Sequence, residues 1–288
     1  MPITGLDHAM LAVRDLDTAA AALTGALGLH VRRGGRHPGW GTANAVLDLR
    51  SGYLELITVA DPAEAAAVDA GRRILELLDR DGGGWLAFVL TAKDLRTTWQ
   101  QVRRAGLSIA RPVGGRAVRP DGSYRSWAVA GHGEEFRTGR LPSLIEYGDG
   151  TPPPREDPPS HGPAPDVLGV ARLDVAVADL DAATRRYARL LGGPPVAEPG
   201  HCACWTLPDG VGVRLLPIDL TTATREGLWT VALAVPDARA AAAVLDARGT
   251  GYTPAGPGAV LVDRGATAPA RIVLTELREG WDVRAAAV

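Results

Sequence analysis

Cysteine, methionine and aromatic residues are scarce in this chain, and their scarcity narrows the classes of protein to which it belongs. The 288 residues include two cysteines and two methionines, and aromatic residues make up 5% of the total. Cys202 and Cys204 lie two positions apart on a predicted strand, too close for disulfide geometry, so we expect no bond between them. The segment from His201 to Cys204 matches no zinc pattern, and we interpret it as strand.

Long apolar runs and an excess of one charge are also missing. No stretch approaches the roughly 18 consecutive apolar residues that cross a bilayer, and the first residues, MPITGLDHAML, lack the features of a secretory leader. The net charge is −2, and basic residues are scattered without aromatic neighbours, so we predict no nucleic-acid or membrane partner. We expect a cytoplasmic monomer or homodimer with a small-molecule substrate.

Several common catalytic motifs are absent. The sequence contains no G-x-S-x-G nucleophile elbow, no P-loop and no dinucleotide-binding fingerprint. The glycine pair Gly34-Gly35 and the run at 82–84 lack the following lysine or the strand-to-helix context that those phosphate-binding motifs require. The absence of these motifs therefore argues against a serine hydrolase, a nucleotide hydrolase and a nicotinamide-dependent dehydrogenase.

The sequence does contain a fourfold internal repeat. Each copy is a short apolar strand, a turn that ends in an acidic residue, and an alanine- or arginine-rich helix. The acidic residues that align the copies are Asp15, Asp94, Asp179 and Asp237. Internal repetition is a strong guide to architecture, but these copies are too irregularly spaced for a solenoid. We predict one supersecondary module that is used in pairs.

A proline-rich segment divides the four modules two and two. It reads TPPPREDPPSHGPAPD and has almost no large apolar residue. This composition is typical of a stiff, solvated linker. We therefore predict a first domain at residues 1–149, a linker at 150–166 and a second domain at 167–288.

Within each module the apolar periodicity predicts the order βαβββ. In the first module, a strand from Leu6 to Val13 leads to a helix that is capped by Asp15 and ends at Gly28. Further strands of the first two modules are predicted at 29–32, 44–49, 53–59, 85–91, 109–113, 126–130 and 144–147. Further helices of this half are predicted at 62–79 and 94–105.

Tandem βαβββ units that pair into one cupped sheet resemble the vicinal oxygen chelate superfamily, which contains glyoxalase I, extradiol dioxygenases and antibiotic-resistance proteins. Over residues 4–149, the segments LDHAMLAVRDLD, GGRHPGWGTANAVLDL, YLELITV, RPDGSYRSWAVA and LPSLIEYG resemble glyoxalase-like domain proteins. Over 167–280 the resemblance rests on the repeat alone. It implies an α+β fold, with four modules in two cupped-sheet domains of the glyoxalase/bleomycin-resistance type, the second of them degenerate.

The resemblance also implies a divalent metal ion inside the first cup, held by the first and last strands of each module. Carried over by position, the ligands are His8, Glu55 and Glu146, while Ala87 stands where many relatives have a second histidine. One nitrogen and two carboxylates suit Mg²⁺, Mn²⁺, Fe²⁺, Zn²⁺ or Ni²⁺. The alternative is that His8 and Glu146 hydrogen-bond across the cup without a metal.

The segment RHPGWGTAN at 36–44, between the predicted second and third strands, offers further site residues. His37, Trp40 and Asn44 bring imidazole, indole and amide groups that are able to line a pocket. We expect His37 to act as a general acid/base or to replace the ligand missing at Ala87. For Trp40, the alternative is a structural plug at the end of the sheet.

Arginines flank a turn in the second module. Of Arg116, Arg119 and Arg125, the last is nearest to a predicted strand, two residues before Trp127. A guanidinium that faces the cup binds a carboxylate or an enolate in bidentate fashion. We predict that Arg125 and Trp127 bind substrate, whereas the commoner position for an arginine beside a turn is in solvent.

The second half presents a different set at the corresponding positions, namely Arg172, Arg214, Thr230 and Glu276. Two arginines do not ligate a cation. We expect Glu276 to lie between them in a salt-bridge cluster that replaces the metal, so that this half keeps packing and has no chemistry. The alternative is an anion site that uses both guanidinium groups.

Two functions from different classes follow. The first is a metal-dependent enzyme, a lyase, isomerase or dioxygenase, whose substrate offers two neighbouring oxygens to the metal, as the superfamily resemblance implies. In that enzyme Glu55 or Glu146 doubles as a proton shuttle. The second is a metal-free protein that binds or sequesters an aromatic or antibiotic-like compound in the same cup.

Overall fold

The computed structural model describes residues 2–50, 52–131, 140–148, 164–198, 202–267 and 269–277. Most of the predicted linker, 150–163, lies outside the described residues, and 164–166 has no regular secondary structure. The first module comprises β1 (Ile3–Ala12), α1 (Leu16–Leu27), β2 (Arg32–His37), β3 (Thr42–Asp48) and β4 (Tyr53–Val59). Two helices follow, α2 (Pro62–Ala67) and α3 (Asp69–Asp81). The second module comprises β5 (Gly84–Ala92), α4 (Leu95–Arg104), β6 (Val113–Val118), β7 (Tyr124–Ala130) and β8 (Ser143–Tyr147).

The remaining two modules repeat this order. The third comprises β9 (Gly169–Val177), α5 (Leu180–Leu191), β10 (Val196–Glu198), β11 (Cys202–Thr206) and β12 (Gly212–Pro217). After a short 3₁₀ turn at Ile218–Leu220, the fourth comprises β13 (Gly227–Val235), α6 (Ala238–Ala247), β14 (Tyr252–Pro254), β15 (Ala259–Val262) and β16 (Ile272–Glu276). The predicted order βαβββ is therefore confirmed in all four modules.

The first two modules close into a barrel with the strand order β1-β4-β3-β2-β6-β7-β8-β5. The modules meet at two seams. Along one seam β1 and β5 pair antiparallel over most of their length, and along the other β2 and β6 pair at Arg36 and Val118. The last two modules form an eight-stranded sheet in the order β10-β11-β12-β9-β13-β16-β15-β14. The α+β class with two cupped sheets is confirmed.

Each module begins its helix in the same way because an aspartate caps it. The side chains of Asp15, Asp94, Asp179 and Asp237 each accept a hydrogen bond from a backbone N–H in the first turn of the helix that follows. An N-cap aspartate satisfies a donor that has no partner within the helix. The repeated acidic residue that aligned the modules in sequence is therefore a helix cap.

The structure corrects the second strand of both modules in the first half. Strands were expected at 29–32 and 109–113, but β2 starts at Arg32 and β6 at Val113. Leu107 and Ile109 are buried in the core as part of the connection. The actual strands, RRGGRH and VGGRAV, were missed because paired glycines weaken the apolar alternation that marks a strand. The helix expected at 62–79 is divided at Val68, which has an extended backbone.

The two sheets are joined by a shared layer of apolar side chains. One buried cluster contains residues of both sheets and of α1, α4, α5 and α6. Polar contacts cross between the halves as well: Trp85 Nε1 donates to Arg271 O at 3.0 Å, and Leu6 N donates to Asp209 Oδ2 at 2.6 Å. The division into independent domains stays a prediction. Over the described ranges, none of the helices combines the length and apolar character needed to span a bilayer.

Candidate functional site

The barrel encloses a cavity of about 190 Å³. Inward-facing residues of its strands form the walls, and Ala70, Arg73 and Ile74 of α3 also line it. The lining includes most of the residues predicted from sequence, namely His8, His37, Trp40, Asn44, Glu55, Arg125 and Trp127. The second of the two helices between the modules therefore contributes to the wall of the site.

An irregularity in β1 brings two polar side chains into the barrel. The pairing of β1 with β5 shifts between Leu6 and His8, so Asp7 forms a β-bulge. Leu6 and Ala9 consequently both pack in the outer apolar cluster, while Asp7 and His8 lie between them on the inner side. Asp7 Oδ1 is 2.5 Å from His8 Nδ1, and both residues are buried. The carboxylate therefore fixes the orientation of the imidazole ring.

The other ring nitrogen of His8 faces Glu55. The Nε2–Oε2 distance is 3.4 Å, longer than a good N–H···O hydrogen bond. Asn44 Nδ2 donates to the second oxygen of Glu55, Oε1, at 2.6 Å. Gly35 N in turn donates to the side-chain oxygen of Asn44, Oδ1, at 2.7 Å. Glycine is required beside this amide, since a Cβ on Gly34 would lie 2.0 Å from Asn44 Oδ1. The glutamate is thus held in place while its oxygen nearest His8 borders the cavity.

The charges of this group are strongly coupled. Burial by itself lowers the pKa of His8, but hydrogen bonds and charge from Asp7 and Glu55 outweigh it and raise the pKa to about 9. For Glu55, burial acts to raise the pKa, and the hydrogen bond and charge of His8 outweigh it, so the pKa is lowered. At neutral pH the site therefore holds an imidazolium between two carboxylates.

Two tyrosines extend the network. Tyr147 Oη donates to Asp7 Oδ1 at 2.8 Å and is 3.2 Å from Tyr53 Oη, whose ring stacks on His8 with centroids 4.7 Å apart. Burial raises the pKa of both phenols well above the usual range, so both remain neutral. Arg125 lies over the ring of Tyr147, with its guanidinium carbon 4.6 Å from the centroid. A positive charge therefore borders the cavity beside this network.

Aromatic rings form another part of the wall. The rings of Trp40 and Trp127 are 5.1 Å apart, and His37 meets Trp127 edge-on at 6.3 Å. His37 Nδ1 is 2.8 Å from Thr42 Oγ1, and burial lowers the pKa of His37, which keeps the ring neutral. Gly115 makes room for Trp127, because a Cβ there would lie 2.1 Å from the indole. This wall suits a flat ligand.

Glu146 does not reach the cavity, and its expected role as metal ligand and proton shuttle is corrected here. Its Oε2 accepts a hydrogen bond from Leu95 N, at the start of α4, at 3.3 Å. Its counterpart Glu276 accepts from Ala238 N at the start of α6 at 2.9 Å. Both glutamates therefore complete a helix N-terminus, where backbone N–H groups lack partners within the helix.

Strand register identifies the residue that does correspond to Glu55. In the first module Glu55 is the register partner of Met10, and in the second module Ser143 is the partner of Val89. Met10 and Val89 occupy equivalent positions when the modules are aligned on their helix caps. Ser143 lines the cavity, as does Ala87. The second module therefore supplies a serine and an alanine where the first supplies Glu55 and His8.

The described residues do not fit a divalent metal. No group of three or more His, Cys, Asp and Glu side chains in the described ranges is arranged to hold one. Asp7 and Glu55 lie against opposite nitrogens of the His8 ring, so they cannot share a cation. Fewer than three protein ligands is below what catalytic metal centres usually have. We therefore assign no reaction step to a metal.

The second sheet contains a different polar cluster from the one expected. Arg172 and Arg214 both bind Asp174, with Nε–Oδ1 distances of 2.7 and 2.9 Å. The carboxylate of Asp174 is buried, whereas the two arginines are partly exposed. Glu276, expected between the arginines, instead binds the start of α6. Thr230 accepts from Arg271 Nε at 3.1 Å. The salt-bridge cluster exists, with Asp174 as its acid.

Three residues of the first site were missed in the sequence: Asp7, Tyr53 and Tyr147. Asp7 had a signal, because two consecutive polar residues interrupt an otherwise apolar strand. Tyr53 had a signal too, because it lies two residues before Glu55 on the same strand face, and it lines the cavity. Tyr147 follows Glu146 directly, and strand alternation allows only one of the two to point inward.

Comparison with known proteins agrees with the architecture. The sequence profile of a family described as "Glyoxalase-like domain" matches residues 6–191. No curated protein sequence matches the chain. Among solved structures, a triple mutant of 4-hydroxymandelate synthase from Streptomyces coelicolor is similar with a TM-score of 0.65 and 16% identity. The match covers 96% of this chain and 93% of that one.

Two further structures show the same arrangement of modules. A hypothetical protein from Staphylococcus aureus has a TM-score of 0.64 and 13% identity, with 94% of this chain and 99% of that one covered. A Mn(II)-bound glyoxalase from Novosphingobium aromaticivorans has a TM-score of 0.60 and 13% identity, with 96% and 82% covered. At such identities the similarity demonstrates the fold alone.

Proposed function

Because this chain belongs to the glyoxalase-like domain family and its barrel encloses a buried His8–Glu55 pair, we propose that it moves a proton on a small carbonyl compound. The observation that carries this proposal is the 3.4 Å gap between His8 Nε2 and Glu55 Oε2 at the cavity wall. A charged donor and a charged acceptor therefore stand side by side with only a long, weak hydrogen bond between them. A carbonyl compound matches this pair, because its oxygen accepts a hydrogen bond from the donor and the neighbouring C–H group gives its proton to the acceptor.

In this mechanism the substrate oxygen accepts a hydrogen bond from His8 Nε2–H. The carboxylate of Glu55 removes the proton from the adjacent carbon, and the electron pair of that C–H bond forms the enolate. The imidazolium lies beside the oxygen on which negative charge develops, which is the usual means of stabilising such an anion. Return of the proton from Glu55 to a different carbon gives an isomerase, and loss of a β-leaving group gives a lyase.

Other residues orient this pair. Asp7 accepts the Nδ1–H of His8 and keeps the ring charged, as carboxylates do for imidazoles in many catalytic sites. Asn44 holds one oxygen of Glu55 and leaves the other for the substrate. Tyr147 donates to Asp7, so the carboxylate that supports His8 is itself hydrogen-bonded. The supporting groups are packed and buried, as a preorganised site requires.

A second candidate is a protein that only sequesters its ligand. The rings of Trp40 and Trp127 favour it, because stacking walls bind an aromatic compound without any chemistry. The metal-dependent reaction implied by the family resemblance would need a third ligand near His8 and Glu55. The described residues do not supply one.

Deuterium exchange tests the proposal. The full-length protein is incubated in D₂O with 4-acetylbenzamide or 4-acetylbenzoate, with and without EDTA, and loss of the acetyl methyl signal is followed by NMR. We expect faster exchange than in buffer for at least one probe, and loss of that acceleration in Glu55→Gln. Acceleration that EDTA removes would point to a metal. Tight binding with no exchange would favour the sequestering protein.

A further inference from the structure

The charges around the cavity select for an acidic ligand. Four arginines line it, namely Arg32, Arg73, Arg119 and Arg125. Among the described lining residues Glu55 is the sole carboxylate, and it already faces the imidazolium of His8. These arginines also have partners within the protein, among them Asp48, which forms an ion pair with Arg32. The lining thus carries more positive than negative charge, and a cavity wall of low dielectric strengthens that field.

Arg125 is the arginine best placed to use this charge. It lies on β7 and lines the cavity, and its guanidinium lies over the ring of Tyr147, whose hydroxyl donates to Asp7. Stacking on a ring holds a guanidinium plane in a defined orientation, and its fork then matches the two oxygens of a carboxylate. Arg125 therefore lies within the network of the proton-transfer pair, on the side that borders the cavity.

Size and shape narrow the ligand further. The cavity of about 190 Å³ is somewhat larger than the roughly 150 Å³ of an engineered cavity that holds benzene. One ring with its substituents therefore fits in it. The rings of Trp40 and Trp127 pack on each other, with centroids 5.1 Å apart and planes tilted by 59°, and both line the cavity. Adjoining aromatic surfaces of this kind favour a flat ring as ligand.

We infer that the substrate class is a small, single-ring organic carboxylate, with its acid group bound by Arg125 and its ring against Trp40 and Trp127. This inference rests on the proposed function in that the same cavity is used. It concerns recognition, however, and does not depend on any proton being moved.

The test compares benzoate with benzamide, which have the same shape and differ in charge. Calorimetric titration of the full-length protein at pH 7 measures both affinities. Since a hydrogen bond to a charged group contributes more than a neutral one, benzoate should bind at least about tenfold more tightly. In Arg125→Gln the preference should disappear, with the affinity for benzamide unchanged within about twofold.

A matched control is available on the neighbouring strand. Arg116 of β6 is exposed and does not line the cavity, so Arg116→Gln removes the same charge and should keep the full preference. If Arg125→Gln fails to fold, Arg125→Lys takes its place. That variant keeps the charge without the fork, and it should retain only part of the preference.

Equal affinities for the two probes, binding of neither, or a preference that survives in Arg125→Gln would overturn the inference. These outcomes are distinct from failure of the proposed function. Glu55-dependent exchange of 4-acetylbenzamide together with no preference for benzoate would leave proton transfer standing and remove the acidic substrate. A preference for benzoate with no exchange of either acetyl probe would support the acidic substrate and remove the proposed proton transfer.

Discussion

The carboxylate of Glu146 accepts a hydrogen bond from the backbone N–H of Leu95 on the outer side of the barrel. The acid that the family resemblance implied as a metal ligand is thus part of a helix terminus. Replacement of Glu146 by alanine should cost about 1 kcal/mol of unfolding free energy, as the loss of a helix-capping interaction does. Urea unfolding measures that cost, and calorimetry should show benzoate affinity unchanged.

The equivalent residue of the second sheet provides the control. Glu276→Ala removes the same kind of contact at Ala238 and should cost a similar amount. A Glu146→Ala protein that has normal stability and no longer binds benzoate would contradict this account and show that Glu146 contributes to ligand binding in the cavity.

The raised pKa of His8 predicts how stability depends on pH. The ordinary pKa of a histidine is 6.5, and the pKa of His8 in the folded protein is about 9, so the folded state holds one more proton between these values. The stabilisation is complete below pH 6.5 and is lost as pH rises through about 9, at roughly 1.4 kcal/mol per pH unit. Urea unfolding from pH 6 to 10 should show this decline, and His8→Gln should lack it. The same slope in both proteins would mean that His8 is neutral in the folded state.

Metal loading tests the donor set directly. Protein purified without an affinity tag and dialysed against Mn²⁺, Fe²⁺, Ni²⁺ or Zn²⁺ should retain far less than one equivalent after removal of free ion. The reason is that, over the part of the chain that the structure describes, His8 and Glu55 are too few ligands to hold the ion. Elemental analysis measures the content. One equivalent per chain that is lost in His8→Ala would show that the cavity binds metal after all.

The Asp174 cluster predicts a non-additive set of variants. Changing Arg172 and Arg214 to methionine leaves a buried carboxylate without partners, which should cost about 3 kcal/mol or more. Adding Asp174→Leu removes that charge and should restore most of the stability. Urea unfolding of the double and triple variants checks this. Benzoate binding should stay at the wild-type level in both, and a triple variant no more stable than the double would refute the account.

The independence of the first domain remains a prediction with a clear test. A fragment of residues 1–149 is long enough to bury its own core, so it should melt cooperatively. Its melting temperature should lie below that of the full chain, because it loses the hydrogen bonds of Trp85 and Leu6 and part of the shared apolar cluster. Circular dichroism and size-exclusion chromatography measure both properties. An aggregated fragment would show that the first half does not complete its core without the second.

The sequence predicted the modules well because their signals are local. An aspartate before each helix and apolar runs in the central strands define the order βαβββ. Strands β2 and β6 were displaced because glycine pairs weaken the pattern of a strand, and one glycine of each pair, Gly34 and Gly115, makes room for a site residue. Glycines that make room in the cavity are therefore also the reason that two of its strands were predicted at the wrong positions.

The details of the site were less predictable because they depend on register. Regular alternation would place Leu6 and His8 on one face, and only the bulge at Asp7 separates them and turns an additional acid inward. At the end of β8 an acid and a tyrosine are adjacent, and their chemistry alone does not tell which faces the cavity. The seven other predicted site residues all line the cavity: His8 lies beside the bulge, and the others lie on further strands or on the turn between β2 and β3.

Gly34 and Gly115 have a consequence for how relatives of this chain are compared. The amide of Asn44 and the indole of Trp127 occupy space that those two positions leave open. A search that matches only reactive side chains between proteins would overlook both positions. Alanine at either position would displace the Asn44 amide or the Trp127 indole, so the cavity would change shape although no reactive group was replaced. The shape of this cavity thus depends partly on residues that have no functional group at all.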